Sequence, residues 1–225
     1  MKSEYLIFNI VVLLGPIIAL RCIPYIRKPR PVPTFVALVF SAVVFVVWDI
    51  IVTGFFWYFN PTFTLGPRIA GVPFEEILFF LTVPFGCLVL WVNWDKVYPG
   101  TEDQSSVPLM FICISTALAV IGLWMRWYYT VAICVVYALI LSLDHVMNTH
   151  ILRKVRFLSF TLVIVLLTFV CNLYLTARPI VLYNSVMKTN LNILTIPVED
   201  FVYGLALISF VIVMYEYCVR KIGAR

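Results

Sequence analysis

The chain has 225 residues, 63% of them hydrophobic and only 12% charged, whereas an ordinary soluble domain is roughly one-quarter charged. A mean hydropathy of +1.04 makes lipid the expected solvent, and the net charge of +5 lies in short loops between apolar runs rather than in a patch for nucleic acid. Six cysteines are scattered without a C-x-x-C, and the two histidines stand at 145 and 150, so neither a disulfide frame nor a metal site is expected.

The first apolar run, 4–23, leads into "RCIPYIRKPRP" instead of a small-x-small cleavage pattern, so it is expected to be retained as a span. A span needs about 20 apolar residues. Six more such runs follow, at 34–54, 75–94, 107–125, 128–147, 157–176 and 198–218. None shows the in–out alternation of a membrane barrel. The expected fold is an all-α membrane protein of seven transmembrane helices. Each cysteine is expected to be a small buried hydrophobe. Trp48, Trp57, Tyr58, Trp91 and Trp94 read as an interfacial aromatic belt. Asp144 reads as an interface marker or a partner for Arg153, and Glu216 similarly.

Loops after the first, third and fifth runs, with the C-terminus, hold eleven Lys and Arg, against five on the other side. That bias places the N-terminus outside and the C-terminus in the cytoplasm.

The chain also repeats itself. "VPFEEILFF" (72–80) is echoed by "IPVEDFVYG" (196–204), pairing Pro73 with Pro197, Glu75 with Glu199 and Glu76 with Asp200, 124 positions apart. "WDIIVTG" (48–54) corresponds to "CNLYLTA" (171–177), pairing Asp49 with Asn172 and Thr53 with Thr176. Asn60 pairs with Asn184. The expected organisation is a single membrane domain over 1–225, with repeat 1 at about 1–98, a connector helix at about 107–125 and repeat 2 at about 128–225. In this 3+1+3 plan the two three-helix repeats run parallel, so both acidic turns meet at one end of the bundle.

Pro-x-Glu-Glu also makes an ordinary helix start, because proline suits the first turn and carboxylates suit the positive end of the dipole. That reading accounts for neither Asp49 inside a span nor the polar residues upstream. Ionisable groups within a membrane are costly and point to function. Carboxyls in an apolar pocket hold protons more tightly and can serve as general acids, while a charged neighbour serves as base. Phe79, Phe80 and Tyr203 lie one turn beyond the acids, placed to line a pocket. There is no dinucleotide fingerprint and no diphosphate-type metal box, and none of the six lysines lies in the last span. No cofactor is expected. What remains is proton chemistry on a lipid-soluble molecule, or a small proton-coupled transporter of 3+1+3 type.

"FVVWDIIVTGFFWYFNPTFTLG", "GVPFEEILFFLTVPFGCL" and "TIPVEDFVYG" resemble the signatures of the integral-membrane, non-flavin lycopene cyclase family, in its fused two-domain form. The likeness covers about 1–95 and 128–218. It departs at Ala177 and Asn172, where the first half has glycine and aspartate, which implies inequivalent halves. The resemblance implies redox-neutral closure of the ψ ends of lycopene to β-ionone rings, through γ-carotene to β-carotene, in a bacterial or archaeal cytoplasmic membrane. Related ε-, γ- or C50-type cyclisation remains an alternative. The implied partners are the carotenoid and membrane lipid, and homo-oligomer formation stays open. On this reading Glu75 or Glu199 donates the proton and the opposing acid or Asp49 tunes or accepts it, with Glu76 and Asp200 also counted among the catalytic acids. Thr53, Asn60, Thr176 and Asn184 hold the acids, with Asn172 nearby. Trp48, Trp57 and the phenylalanines stabilise the cation by cation–π contact.

Overall fold

A computed structural model describes residues 2–98 and 107–223, without the side chains of 107–112 and 223. The helices are α1 (Glu4–Cys22), α2 (Pro31–Val52), α3 (Phe74–Trp91), the single turn α4 (Trp94–Val97), α5 (Val107–Met125), α6 (Tyr128–Val146), α7 (Val155–Ala177) and α8 (Val198–Gly223). All of these except α4 and α5 are long and apolar enough to cross a membrane. The described part of α5 with side chains, Cys113–Met125, is a shorter apolar helix. Six of the seven expected spans are thus long apolar helices among the described residues, and the seventh, 107–125, is helix α5, whose side chains are described only from Cys113. In lipid a helix is the economical solution, because it satisfies its own backbone groups. Prolines set the starts: Pro31 falls in the first turn of α2, and Pro73 immediately precedes α3.

The chain is not wholly helical. Among the described residues, six short strands form three antiparallel pairs: β1 (Trp57–Phe59) with β4 (Val181–Tyr183), β2 (Arg68–Ile69) with β3 (Val72–Pro73), and β5 (Asn192–Ile193) with β6 (Ile196–Pro197). They gather at the end of the bundle where α3 and α8 begin, here the hairpin end. The last two pairs are tight hairpins. Ala70 and Leu194 occupy their turns with φ of 49° and 57°, a region that non-glycine residues seldom adopt.

α3 packs on α1 and α2, while α8 packs on α6 and α7; the halves join where α8 lies against α2 and α3. α8 is therefore central, with 61% of its span buried, whereas only 11% of the span of α1 is buried. Lipid is as apolar as leucine, so such helices hold together by close packing and hydrogen bonds. At Gly204 a Cβ would come within 2.4 Å of Thr168 Oγ1, so α7 and α8 can meet this closely only over glycine.

The hairpin end uses one backbone design twice, 124 positions apart. Tyr5 N donates to Phe63 O, and Tyr129 N to Met187 O. Phe74 N donates to Pro67 O, and Val198 N to Leu191 O. Across the joint, Asn60 N donates to Ile180 O (2.9 Å) and Asn184 N to Phe56 O (2.8 Å). These two bonds flank the β1–β4 ladder, whose register pairs Tyr58 with Leu182 at its middle.

Burial and hydrogen bonding correct several expectations. Trp91 and Trp57 are 1% and 6% exposed, so they belong to the core rather than to an interfacial belt. Trp91 donates to Glu216 Oε1 (2.8 Å) and lies under the Arg156 guanidinium. Asp144 fastens the turn after α6 by accepting from Thr149 Oγ1, Ile151 N and Leu152 N. Cys87 and Cys134 are buried as expected, but Cys22 and Cys113 are exposed.

Candidate active site

Two adjacent residues on a helix point about 100° apart, so the acids of each turn cannot share a destination. Glu75 turns toward the preceding loop, where its Oε1 accepts from Leu65 N at 2.6 Å. Glu199 does the same 124 residues on, accepting from Thr189 N (2.7 Å), Thr189 Oγ1 (2.8 Å) and Thr130 Oγ1 (2.8 Å). Both are fully or almost fully buried, at 0% and 2% exposure.

Glu76 and Asp200 turn the other way. With Asp49 of α2 they line one cavity of about 70 Å³, walled by α3, α6, α7, α8, β1 and β4. Its upper part carries the rings of Trp57, Phe59, Phe79, Tyr129, Tyr183 and Tyr203. Its lower wall is apolar, with Val83, Ile164, Leu167, Leu207 and Ile208. Among the described residues, no lysine or arginine lines it.

The three carboxyls are held differently. Tyr5 donates to Glu76 Oε2, the one donor to this side chain among the described residues. Asp200 accepts from Tyr129 (2.9 Å), Tyr183 (2.5 Å) and Asn172 Nδ2 (3.1 Å). Asp49 Oδ1 accepts from Tyr203 at a long 3.4 Å, and its Oδ2 has no partner among the described residues. Burial pushes the Tyr183 hydroxyl well above the ordinary tyrosine range, with the Asp200 carboxyl adding to the effect, so it keeps its proton as a donor. An ionised carboxylate is an acceptor only, and the three donors match Asp200 in that form.

The family model described as lycopene cyclase matches residues 2–93 and 108–218, spanning both halves. The chain belongs to the lycopene cyclase family. It is a carotenoid cyclase of the membrane, and its substrate is a lipophilic carotenoid. No curated protein matches the chain, and no solved structure does.

Within this cyclase the remaining residues singled out in the sequence divide. Asn172, Trp57, Phe79 and Tyr203 line the acid cavity. Trp48 lines a separate groove, and Phe80 is buried against Phe45. The four side chains expected to grip the acids fasten backbone instead, or stand apart. Asn60 Oδ1 accepts from Thr62 N, and Asn184 Oδ1 from Val186 N, each closing a local turn. Asn184 Nδ2 donates to Phe55 O. Thr176 bonds Asn172 O and Thr195 Oγ1, and Thr53 Oγ1 has no partner among the described residues. Asn60 and Asn184 are loop residues whose polar groups serve the chain's own turns first.

Sequence reading passed over Tyr5, Tyr129, Tyr183, Thr130 and Thr189. For two of them a signal existed. Tyr5 and Tyr129 stand 124 positions apart, the spacing that separates Glu76 from Asp200, and each tyrosine bonds the acid of its own half.

Proposed function

We propose that this protein closes the ψ ends of lycopene to β-ionone rings by carboxylic-acid catalysis, with Asp49, Glu76 and Asp200 as the reacting and charge-stabilising groups. The observation that carries this reading is the convergence of these three carboxyls, from both halves of the chain, in one aromatic-lined cavity. An acid–base pair for a hydrocarbon needs such a place, because water would add to the cation.

The oxygen of Asp49 that lacks a partner carries the proton in the acid form, and Glu76 backs it from α3. The O–H bond breaks as the terminal alkene takes the proton, leaving a tertiary cation. The neighbouring double bond supplies its electron pair to that centre, forming the ring C–C bond and moving the positive charge to a ring carbon. Loss of a proton from the adjacent ring carbon bearing the polyene restores the alkene and gives the β ring. Substrate and product are isomers, so no oxidant or reductant is consumed. Asp200, held by three donors, offsets the cationic charge and takes the departing proton. The faces of Trp57, Phe79 and Tyr203 stabilise the cation at roughly 0.5–2 kcal/mol each. Glu75 and Glu199 keep the two loops in place around this chamber.

A rod-like substrate presents one end at a time to a single chamber, so γ-carotene precedes β-carotene. If the basic loops face the cytoplasm, the chamber lies near the outer face. A proton-coupled transporter would need a polar path, where the lower wall here is Val83, Ile164, Leu167, Leu207 and Ile208.

The test is expression of Asp49→Asn, Glu76→Gln and Asp200→Asn separately in lycopene-producing cells, with pigments resolved by chromatography and membrane protein quantified. Each variant is expected to accumulate lycopene. Undiminished β-carotene from all three would discard the assignment.

A further inference from the structure

A second hollow lies beside the acid cavity. It measures about 370 Å³ and is bounded by α2, α6 and α8, with Phe45, Trp48, Val136, Leu139, Tyr203 and Phe210 among its walls and no charged side chain among the described residues. It follows α8 from Tyr203 to Phe210 and α6 from Val136 to Leu143. Seven residues of helix is a length of roughly 10 Å. Val44 and Leu139, 40% and 64% exposed, mark its outward rim, where the groove opens to the surroundings of the bundle.

The repeat explains why this side is open. Next to the acid cavity, Phe8 of α1 stacks on Tyr174 (5.4 Å, 10°) and on Phe79 (6.4 Å, 19°), filling the seam between α1, α3 and α7. At the corresponding place 124 positions later stands Ala132, with no ring to fill the seam of the second half.

We propose that this groove binds the polyene arm of the carotenoid whose end group reacts among Asp49, Glu76 and Asp200, with Tyr203 as the partition between arm and acids. The proposal rests on the reading of those acids given above and extends it to the rest of the substrate. The acid cavity has room for a few water-sized groups, far short of a long conjugated chain. The groove is several times larger, elongated along the helices and apolar. Phe45, Trp48 and Phe210 offer ring faces to a flat π system. Because it opens sideways, a substrate dissolved in the bilayer reaches it without crossing water. Tyr203 lines both hollows. Its hydroxyl is tied to Asp49 by the long 3.4 Å bond and its ring packs edge-on against Phe45 and Trp57, so turning the ring aside breaks these contacts and joins the two.

The experiment measures lycopene bound to protein in lipid nanodiscs, by visible absorbance and induced circular dichroism, in an Asp49→Asn background that separates binding from turnover. Val136→Trp with Leu139→Trp fills the groove. Leu162→Trp, on a 73% exposed position of α7 outside it, is the control. The filled groove is expected to lose at least tenfold of the bound lycopene, and in the Asp49 background-free protein the same fraction of conversion, while the control binds normally. Lycopene binding undiminished in the filled groove overturns the proposal, and would leave the groove to a phospholipid acyl chain. Should the double variant fail to accumulate, a bulky maleimide on Leu139→Cys fills the groove after folding. Binding unchanged relative to maleimide-treated wild type is then equally fatal. Conversion by Asp49→Asn itself would instead break the acid assignment, with the binding measurement still standing.

Discussion

The two halves of this cyclase agree at their turns and disagree inside their helices. Leu65 N caps Glu75 as Thr189 N caps Glu199, and Tyr5 meets Glu76 as Tyr129 meets Asp200. Below that layer the counterparts diverge in size and polarity. In the first half Thr82 donates to Asn9 Oδ1, and Asn9 Nδ2 to Glu75 O; the corresponding residues of the second half are Ala206 and Ile133. Phe80 of α3 packs on Phe45, whereas its counterpart in α8 is Gly204, pressed against Thr168. Symmetric turns bring the acids to one place. Asymmetric helices then decide which flank encloses them and which leaves an apolar groove.

Several experiments would break or sharpen that comparison. The largest effect is expected where the acids face the cavity. Asp200→Asn and Glu76→Gln should each lower cyclisation by about 10²–10⁴-fold, the usual worth of a positioned acid or base. Glu75→Gln and Glu199→Gln should instead lower stability by about 1–3 kcal/mol through loosened loop amides, read as less folded protein with cyclisation per folded molecule retained. Equal loss of activity in all four would mean that the two acids of a turn do one job.

The tyrosines come next. Tyr5 is the one described donor to Glu76, while Tyr129 shares Asp200 with Tyr183 and Asn172. Tyr5→Phe should therefore cost about tenfold or more in rate, as for a hydrogen bond to a charged group, and Tyr129→Phe less. The reverse order, measured as γ- and β-carotene formed per unit time, would show the first half to be the spare one. A smaller effect follows from packing. Gly204→Ala forces a methyl onto Thr168 and should destabilise the protein by about 1–3 kcal/mol. Adding Thr168→Ala should restore part of the lost thermal stability. The smallest effect is expected from Arg178→Ala, which removes the exposed ion pair with Glu4 (2.5 Å) outside the chamber. Its melting temperature should fall least, and its pigment profile should match the unaltered protein.

The helices, the repeat and the convergence of its acids at one end were legible because apolar run length and a fixed spacing are one-dimensional signals. The destination of each acid was not. Glu75 and Glu76 are neighbours in identical company, and only the facing of the helix separates the one that caps a loop from the one that lines the cavity. Tyr5 and Tyr129 could have been found from their shared spacing, yet a tyrosine near the start of an apolar run also reads as an interface anchor. Tyr183 had no such cue, since its counterpart is Phe59. The groove was hidden for a related reason: Ala132 is unremarkable until the ring it replaces, Phe8, is seen filling the other seam.

The small ladder between β1 and β4 couples the halves through main-chain atoms as well as side chains. Its peptide hydrogen bonds do not depend on which side chains accumulate around the chamber, because peptide groups do not mutate. Deuterium uptake at the amides of Asn60 and Asn184 would consequently time how often the two halves part, a clock independent of turnover.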